Sequence, residues 1–173
     1  MTAKIKKILN DQIREELYSA YLYLALAGHL DGRNLKGIAN WMYIQAKEEM
    51  DHALGFFRFL LERGEEPVLQ ALAQPKLGEL KSVKSVFAAG LKHERHISEL
   101  INKIQDAARV EKDHALESFV KWYIDEQVEE EANAMEIIGK LEMVGSDGPS
   151  LYMLDQELGA RTYLPSGPYA VKK

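Results

Sequence analysis

The chain has 173 residues, of which 46% are hydrophobic and 28% charged, with no cysteine and a formal net charge of −5. That length suits one domain with a sizeable core, and the lack of cysteine excludes disulfides, thiolate zinc sites and cysteine-held iron–sulfur clusters. The mild acidity offers no basic face to nucleic acid, and no apolar run of signal-peptide or membrane-spanning kind occurs, so the expectation is a cytoplasmic protein with neither nucleic acid nor membrane as partner.

Prolines stand only at 67, 75, 149, 165 and 168, and long helical patterns fill the spaces between them. The first runs from about Thr2 to Leu30, with Ile5, Leu9, Ile13, Leu17, Ala20, Leu24 and Ala27 at steps of three or four. After the break Asp31-Gly-Arg-Asn34, a second runs from about Leu35 to Arg63, carries Ile38, Trp41, Phe56, Phe59 and Leu60, and closes at Gly64. Residues 65–81 hold two prolines and Gly78 and show no period; they read as a long connection. Ser82 opens the third helix, with Phe87, Leu91, Ile97, Ile101, Ile104 and Ala108. Asp113 caps a fourth, with Leu116, Phe119, Tyr123, Ala134, Ile137 and Leu141. Gly145-Ser-Asp-Gly-Pro149 ends it, and Leu151 to Leu158 reads as a short fifth helix.

Four helices of roughly 28–30 residues far exceed the usual length of about 11–12. Short links within each pair and a long one between the pairs predict an all-α four-helix bundle with one crossover. The bundle with its fifth helix should occupy residues 1–162, and residues 163–173 read as a flexible tail.

Each long helix carries a polar interruption on its apolar face. Glu16 fills the gap in the first stripe, Glu49 and His52 lie between Trp41 and Phe56, Glu94 lies between Leu91 and Ile97, and Gln127 and Glu130 lie between Tyr123 and Ala134. Burying one unpaired carboxylate costs several kcal/mol, and a whole domain is stable by only about 5–15 kcal/mol. Four facing carboxylates therefore need protons, counter-ions or metal. Lys47, Lys92 and Arg95 are one or two positions away and should point off these faces, which leaves no internal counter-ion and favours metal.

Spacing agrees. Glu49-x-x-His52 places two ligands on one helix face, and Gln127-x-x-Glu130 repeats the step. Glu49 follows Glu16 by 33 residues, Gln127 follows Glu94 by 33, and the second pair echoes the first at an offset of 78. Oxygen ligands with one histidine suit iron, manganese or zinc, and two ions can share the site with Glu49 between them. Gln127 stands where a stronger second ligand would be, so one position should bind more weakly. His29, His93, His96 and His114 have no such partners and read as surface residues.

The segments Glu16-Leu-Tyr-Ser, Glu48-Glu-Met-Asp-His52, Lys92-His-Glu94 and Trp122-Tyr-Ile-Asp-Glu-Gln-Val-Glu-Glu-Glu131 resemble the motifs of the non-haem ferritins of bacteria and archaea, and the resemblance reaches to about Thr162. It implies a ferroxidase centre with Glu16, Glu49 and His52 around one iron and Glu49, Glu94 and Glu130 around the second, with Gln127 close by. It further implies a third iron position using Glu48, Glu126, Glu129 and Glu130, and a homo-oligomeric shell of twenty-four subunits. Bacterioferritins repeat Glu-x-x-His on the fourth helix; Gln127-x-x-Glu130 departs from that, so haem is not expected despite Met50 at a haem-ligand position.

The expected activity is oxidation of Fe²⁺ to Fe³⁺ with oxygen or peroxide as acceptor, followed by storage as a mineral. Tyr23, two turns beyond Glu16, can bond a ligand carboxylate and donate an electron, and Trp122 can act similarly; both also fit as plain core aromatics. Rivals are a rubrerythrin-like oxidase, which the absence of cysteine disfavours, and a helical interaction protein.

Overall fold

The computed structural model describes residues 1–145 and 147–170; Ser146 of the expected break and the last three residues of the expected tail lie outside these. Among the described residues there are five α-helices and no strand: α1 Ala3–Asp31, α2 Lys36–Glu62, α3 Val83–Val110, α4 His114–Val144 and α5 Gly148–Gly159. None is long and apolar enough to cross a membrane.

Local chemistry sets the ends. Thr2 Oγ1 accepts from the Ile5 N–H at 3.3 Å, Ser82 and Ser85 form a reciprocal capping box, and Asp113 accepts from the Leu116 N–H at 3.1 Å. Arg63 also grips Asp113 through both carboxylate oxygens, at 2.9 and 3.0 Å, and so ties the end of α2 to the start of α4. Three helices close on a left-handed residue: Asn34 (φ 62°), Gly64 (φ 74°) and Lys112 (φ 55°). In each case the two N–H groups after the turn bond back to the last helical carbonyls, as in Leu35 to Leu30, Glu65 to Leu60 and Asp113 to Ala108. The links at 32–35 and 111–113 are thus tight reversals, and each makes an antiparallel helix pair.

The crossover runs the length of α1. It starts beside the N-terminus, where Glu65 meets Lys6 at 3.0 Å. It is then pinned by Val68 N–H on Asn10 Oδ1 and Gln70 on Asp11 and Arg14, and it ends with Leu77 and Leu80 against the far end of the core.

That core falls into two apolar clusters. One gathers Leu26, Leu30, Ile38, Met42, Val86, Phe87, Ile137 and Leu141 around Tyr23 and Trp41. The other gathers Ile5, Leu9, Ile13, Phe56, Leu60, Ile97, Ile101, Leu116 and Val120 around Tyr123. The polar residues of the stripes form a band between them. On α1 the inward phase passes through Glu16 and Tyr23, whereas Leu17 is half-buried and Leu24 is turned out at 47% exposure. Steps of four overrun the 3.6-residue turn, so both leucines leave the face on which the sequence pattern put them.

Helix α5 packs on the start of α2. Leu35 offers no side-chain cap there, and Asp155 from α5 accepts the Ile38 N–H at 2.9 Å instead. A Cβ on Gly37 would lie 1.7 Å from the Asp155 carbonyl oxygen, so only glycine permits this approach. After α5 the chain runs beside α2 in the same direction. Residues 163–170, expected as a loose tail, place the Tyr163 hydroxyl on Asp51, the Ser166 N–H on Asp51 and the Tyr169 hydroxyl on Glu62.

Candidate metal centre

The band between the apolar clusters brings together Glu16 from α1, Glu49 and His52 from α2, Glu94 from α3, and Gln127 and Glu130 from α4, all buried. Glu16, Glu49 and His52 each offer one ligand atom, and these atoms lie within 4.8 Å of one another. The Glu16 and Glu49 carboxylates are steadied by glutamines one turn earlier: Gln12 Nε2 donates to Glu16 at 2.8 Å and Gln45 Nε2 to Glu49 at 3.3 Å. Glu16 Oε2 is buried without a hydrogen-bond partner, and His52 Nδ1 lies 3.6 Å from Glu49 Oε2.

On the other side, Glu94 is held from two directions. The Tyr23 hydroxyl donates to its Oε1, and Gln127 Nε2 lies 3.2 Å from its Oε2 and 3.1 Å from its carbonyl oxygen. Gly90 leaves room for the Tyr23 ring beside α3. Tyr123 is fixed against α2, where its hydroxyl donates to the His52 carbonyl oxygen at 2.8 Å. A Cβ on Gly55 would meet that hydroxyl at 2.1 Å. Trp122 stands edge-on to the His52 ring, with centroids 5.4 Å apart.

Burial and mutual repulsion raise these acids and favour their neutral forms in the metal-free protein. The Glu16 carboxyl is pushed up to about 8 by burial and then by Glu49. Glu94 is also raised to about 8, by burial and Glu49, and Glu130 to about 8, by burial and Glu94. Glu49 lies well above the usual carboxylate range, through burial and then Glu130. Burial, then Glu94, likewise raises the Tyr23 phenol. A cation among them relieves the repulsion and displaces the protons. The donor set fits iron: hard oxygens, one imidazole, and a buried carboxylate oxygen that the protein leaves unpartnered.

The acids assigned to a third position sit further out. Glu48 and Glu126 are partly buried and Glu129 is exposed. Glu126 Oε1 approaches His52 Nε2 at 3.8 Å. Burial raises both Glu48 and Glu126, opposed by Arg161 and His52 for Glu48 and by His52 for Glu126.

Two sequence expectations need correction here. The centre does have an internal cation at its edge: Arg161, from beyond α5, pairs with Glu48, bonds Gln45 Oε1 at 2.9 Å and stacks on Trp41. His93 is not a surface residue; it is half-buried between α1 and α3, its Nε2 2.7 Å from Ser19 Oγ, and burial lowers it to about 4. His29 is half-buried as well, whereas His96 and His114 are exposed. Sequence reasoning also passed over Gln12 and Gln45, although each precedes its glutamate by four residues and the two are again 33 apart. Arg161 and Ser166 gave no comparable signal, because neither belongs to a periodic segment.

A family model described as a ferritin-like domain matches residues 6–144. A bacterial non-heme ferritin of Staphylococcus aureus (strain USA300) is 34% identical over 163 residues, covering 94% of this chain and 98% of the relative. That of Staphylococcus saprophyticus is 37% identical over 155 residues, covering 90% and 92%. Among solved structures, an engineered closed form of the Archaeoglobus fulgidus ferritin superposes with a TM-score of 0.92 at 41% identity, over 94% of this chain and 99% of that one. A humanized archaeal ferritin gives 0.93 at 41% identity, over 95% and 99%.

Proposed function

The chain belongs to the ferritin family of iron-storage proteins, and on that premise we propose that it oxidises Fe²⁺ to Fe³⁺ at its core carboxylates and stores the product as a mineral inside a homo-oligomeric shell of twenty-four subunits. The observation that carries this reading is the convergence of the buried Glu16, Glu49 and His52 ligand atoms to within 4.8 Å of one another.

Iron is the substrate. Glu16, Glu49 and His52 hold one Fe²⁺, and Glu94 and Glu130 hold the second with Glu49 shared between them and Gln127 alongside. Each ion gives up one electron; dioxygen or peroxide accepts them in pairs. Four carboxyls that retain protons when the site is free of metal must release them on loading, so the site becomes more anionic as it fills. A more anionic site favours the ion of higher charge and therefore drives oxidation. Glu48, Glu126 and Glu129, with Glu130, form the outer position through which a third iron passes towards the cavity. Tyr23 holds Glu94 and stands close enough to supply an electron. No residue of this set calls for haem.

The test is ferrous iron added in air to the assembled protein, with ferric absorbance followed and particle size measured. Rapid ferric formation in a large particle is expected, together with severe loss of rate in Glu49→Ala while the subunit stays folded. Oxidation at the wild-type rate in Glu49→Ala would remove the site assignment. A small particle that oxidises iron would leave the chemistry and remove storage.

A further inference from the structure

The segment after α5 puts two side chains on the outer acids of the centre. Arg161 pairs with Glu48 through Nη2, bonds Gln45 through Nη1 and lies 4.6 Å from the Trp41 ring. Five residues on, Ser166 Oγ donates to Glu126 Oε1 at 3.3 Å and lies 3.4 Å from His52 Nε2. The segment is fastened between these points: Asp51 Oδ2 accepts from the Tyr163 hydroxyl at 2.6 Å and from the Ser166 N–H at 3.0 Å. Gly167 then turns the chain at φ 109°, a conformation open to glycine. The acids it touches are the outer ones. The Glu48 and Glu126 side chains are 13% and 22% exposed, against 2% for Glu49 and His52.

We infer that residues 161–166 are a built-in competitor for the outer metal position, with the Arg161 guanidinium on Glu48 and the Ser166 hydroxyl on Glu126 taking oxygens that an outer cation must win by displacing them. This rests on the proposed third position. Guanidinium and a divalent cation cannot share one carboxylate at full strength, because both neutralise the same charge. Glu16, Glu94 and Glu130 are bonded to no residue of this segment, and His52 meets it only through Nε2, on Ser166 Oγ, while its Nδ1 faces Glu49, so the paired ions load without moving it. Loading is therefore ordered: the buried pair first, the outer ion last and weakly. An outer ion that arrives frees Ser166 from Glu126, and an ion that leaves lets the segment close again.

The experiment titrates the metal-free assembled protein with Zn²⁺, which cannot be oxidised, by calorimetry, with amide exchange of residues 163–167 followed at each equivalent. Two tight ions should leave the Ser166 N–H protected, and a weaker third should accelerate its exchange. In Arg161→Met the ratio of third-ion to paired-ion affinity should rise about tenfold, the scale of one charge-assisted hydrogen bond removed from competition. Ser166→Ala should raise it less, and Arg161→Lys should restore the wild-type ratio. Ser166→Ala removes only a hydroxyl outside the apolar clusters, so it reports even where Arg161→Met folds poorly. A ratio unchanged or lowered in both variants overturns the competitor, as does third-ion binding with Ser166 still protected. Two tight ions with no third in any protein would remove the outer position and the competitor together, whereas no tight ions at all would remove the paired centre itself.

Discussion

The two halves of the centre share a spacing and differ in what surrounds it. Glu16 with Glu49 and His52, on α1 and α2, corresponds at 78 residues to Glu94 with Gln127 and Glu130, on α3 and α4. In the first half each carboxylate takes one donor from a glutamine one turn earlier, and Glu16 keeps a buried oxygen with no partner. In the second half Glu94 has both oxygens bonded, by Tyr23 and Gln127, and the Gln127 amide is committed to α3. A metal meets no hydrogen bond at Glu16 Oε2, whereas at Glu94 both oxygens already accept one and a metal has only their remaining lone pairs. On the proposed reading, identical spacing would therefore yield a stronger and a weaker position, with the neighbours deciding which is which.

The largest test of this contrast removes His52, a direct ligand of the first half, and Gln127, which stands beside the ligands of the second. His52→Ala should slow iron oxidation by at least about 100-fold, and Gln127→Ala by no more than about 10-fold, since direct ligands outweigh the supporting shell. Ferric absorbance after mixing with Fe²⁺ measures both, and equal losses would make Gln127 as necessary as a direct ligand. Next comes pH. Burial and mutual repulsion push Glu16, Glu94 and Glu130 up to about 8 in the folded protein, from an ordinary value of 4.5. The folded state thus binds more protons than the unfolded state between those values, and this contribution is present below 4.5 and lost as pH rises through 8. Melting of the metal-free protein should fall by roughly 10 °C between pH 6 and 9, while the zinc-loaded protein stays nearly flat. Glu94→Gln with Glu130→Gln should flatten the metal-free curve more than Glu16→Gln, because the second half holds two of those three acids. A third change tries to equalise the halves. Gln127→His supplies the nitrogen that the second half lacks, and should tighten the second zinc by about tenfold in calorimetry.

The repeat behind this contrast was readable before any coordinates, and so was most of the frame. Ser82 and Asp113 cap the helices they were expected to cap, Gly64 closes α2, and the aperiodic stretch after it is the crossover. The phase of α1 was only partly legible. Leu24 fits a four-residue step as well as Tyr23 fits a three-residue one, and the choice depends on where α3 leaves room, at Gly90. Glu16, Glu49, His52, Glu94 and Glu130 stood out because charge on an apolar face is costly. Arg161 and Ser166 did not, because an arginine and a serine in an extended segment break no rule of pattern. Their partners follow from the path of that segment beside α2, which is set by the docking of α5 on Gly37 and not by any local signal.

Tyr23 carries the finest version of the comparison, since it belongs to the first half in sequence and serves the second in space. Its hydroxyl, from α1, donates to Glu94 on α3. Tyr23→Phe keeps the ring packed against Gly90 and removes only that donor, leaving Glu94 to Gln127. The freed oxygen can then swing between the second ion and Gln127, so the second ion is held less rigidly while the first keeps all its ligands. Oxidation should slow by about threefold, the cost of one hydrogen bond to a ligand carboxylate, and the first zinc should bind as before. Rapid-freeze paramagnetic resonance sharpens the assignment: a tyrosyl signal during turnover that vanishes in Tyr23→Phe makes the residue an electron donor as well as a support. An unchanged rate would leave Glu94 positioned by Gln127 alone, and the weakness of the second half would then lie wholly on α4.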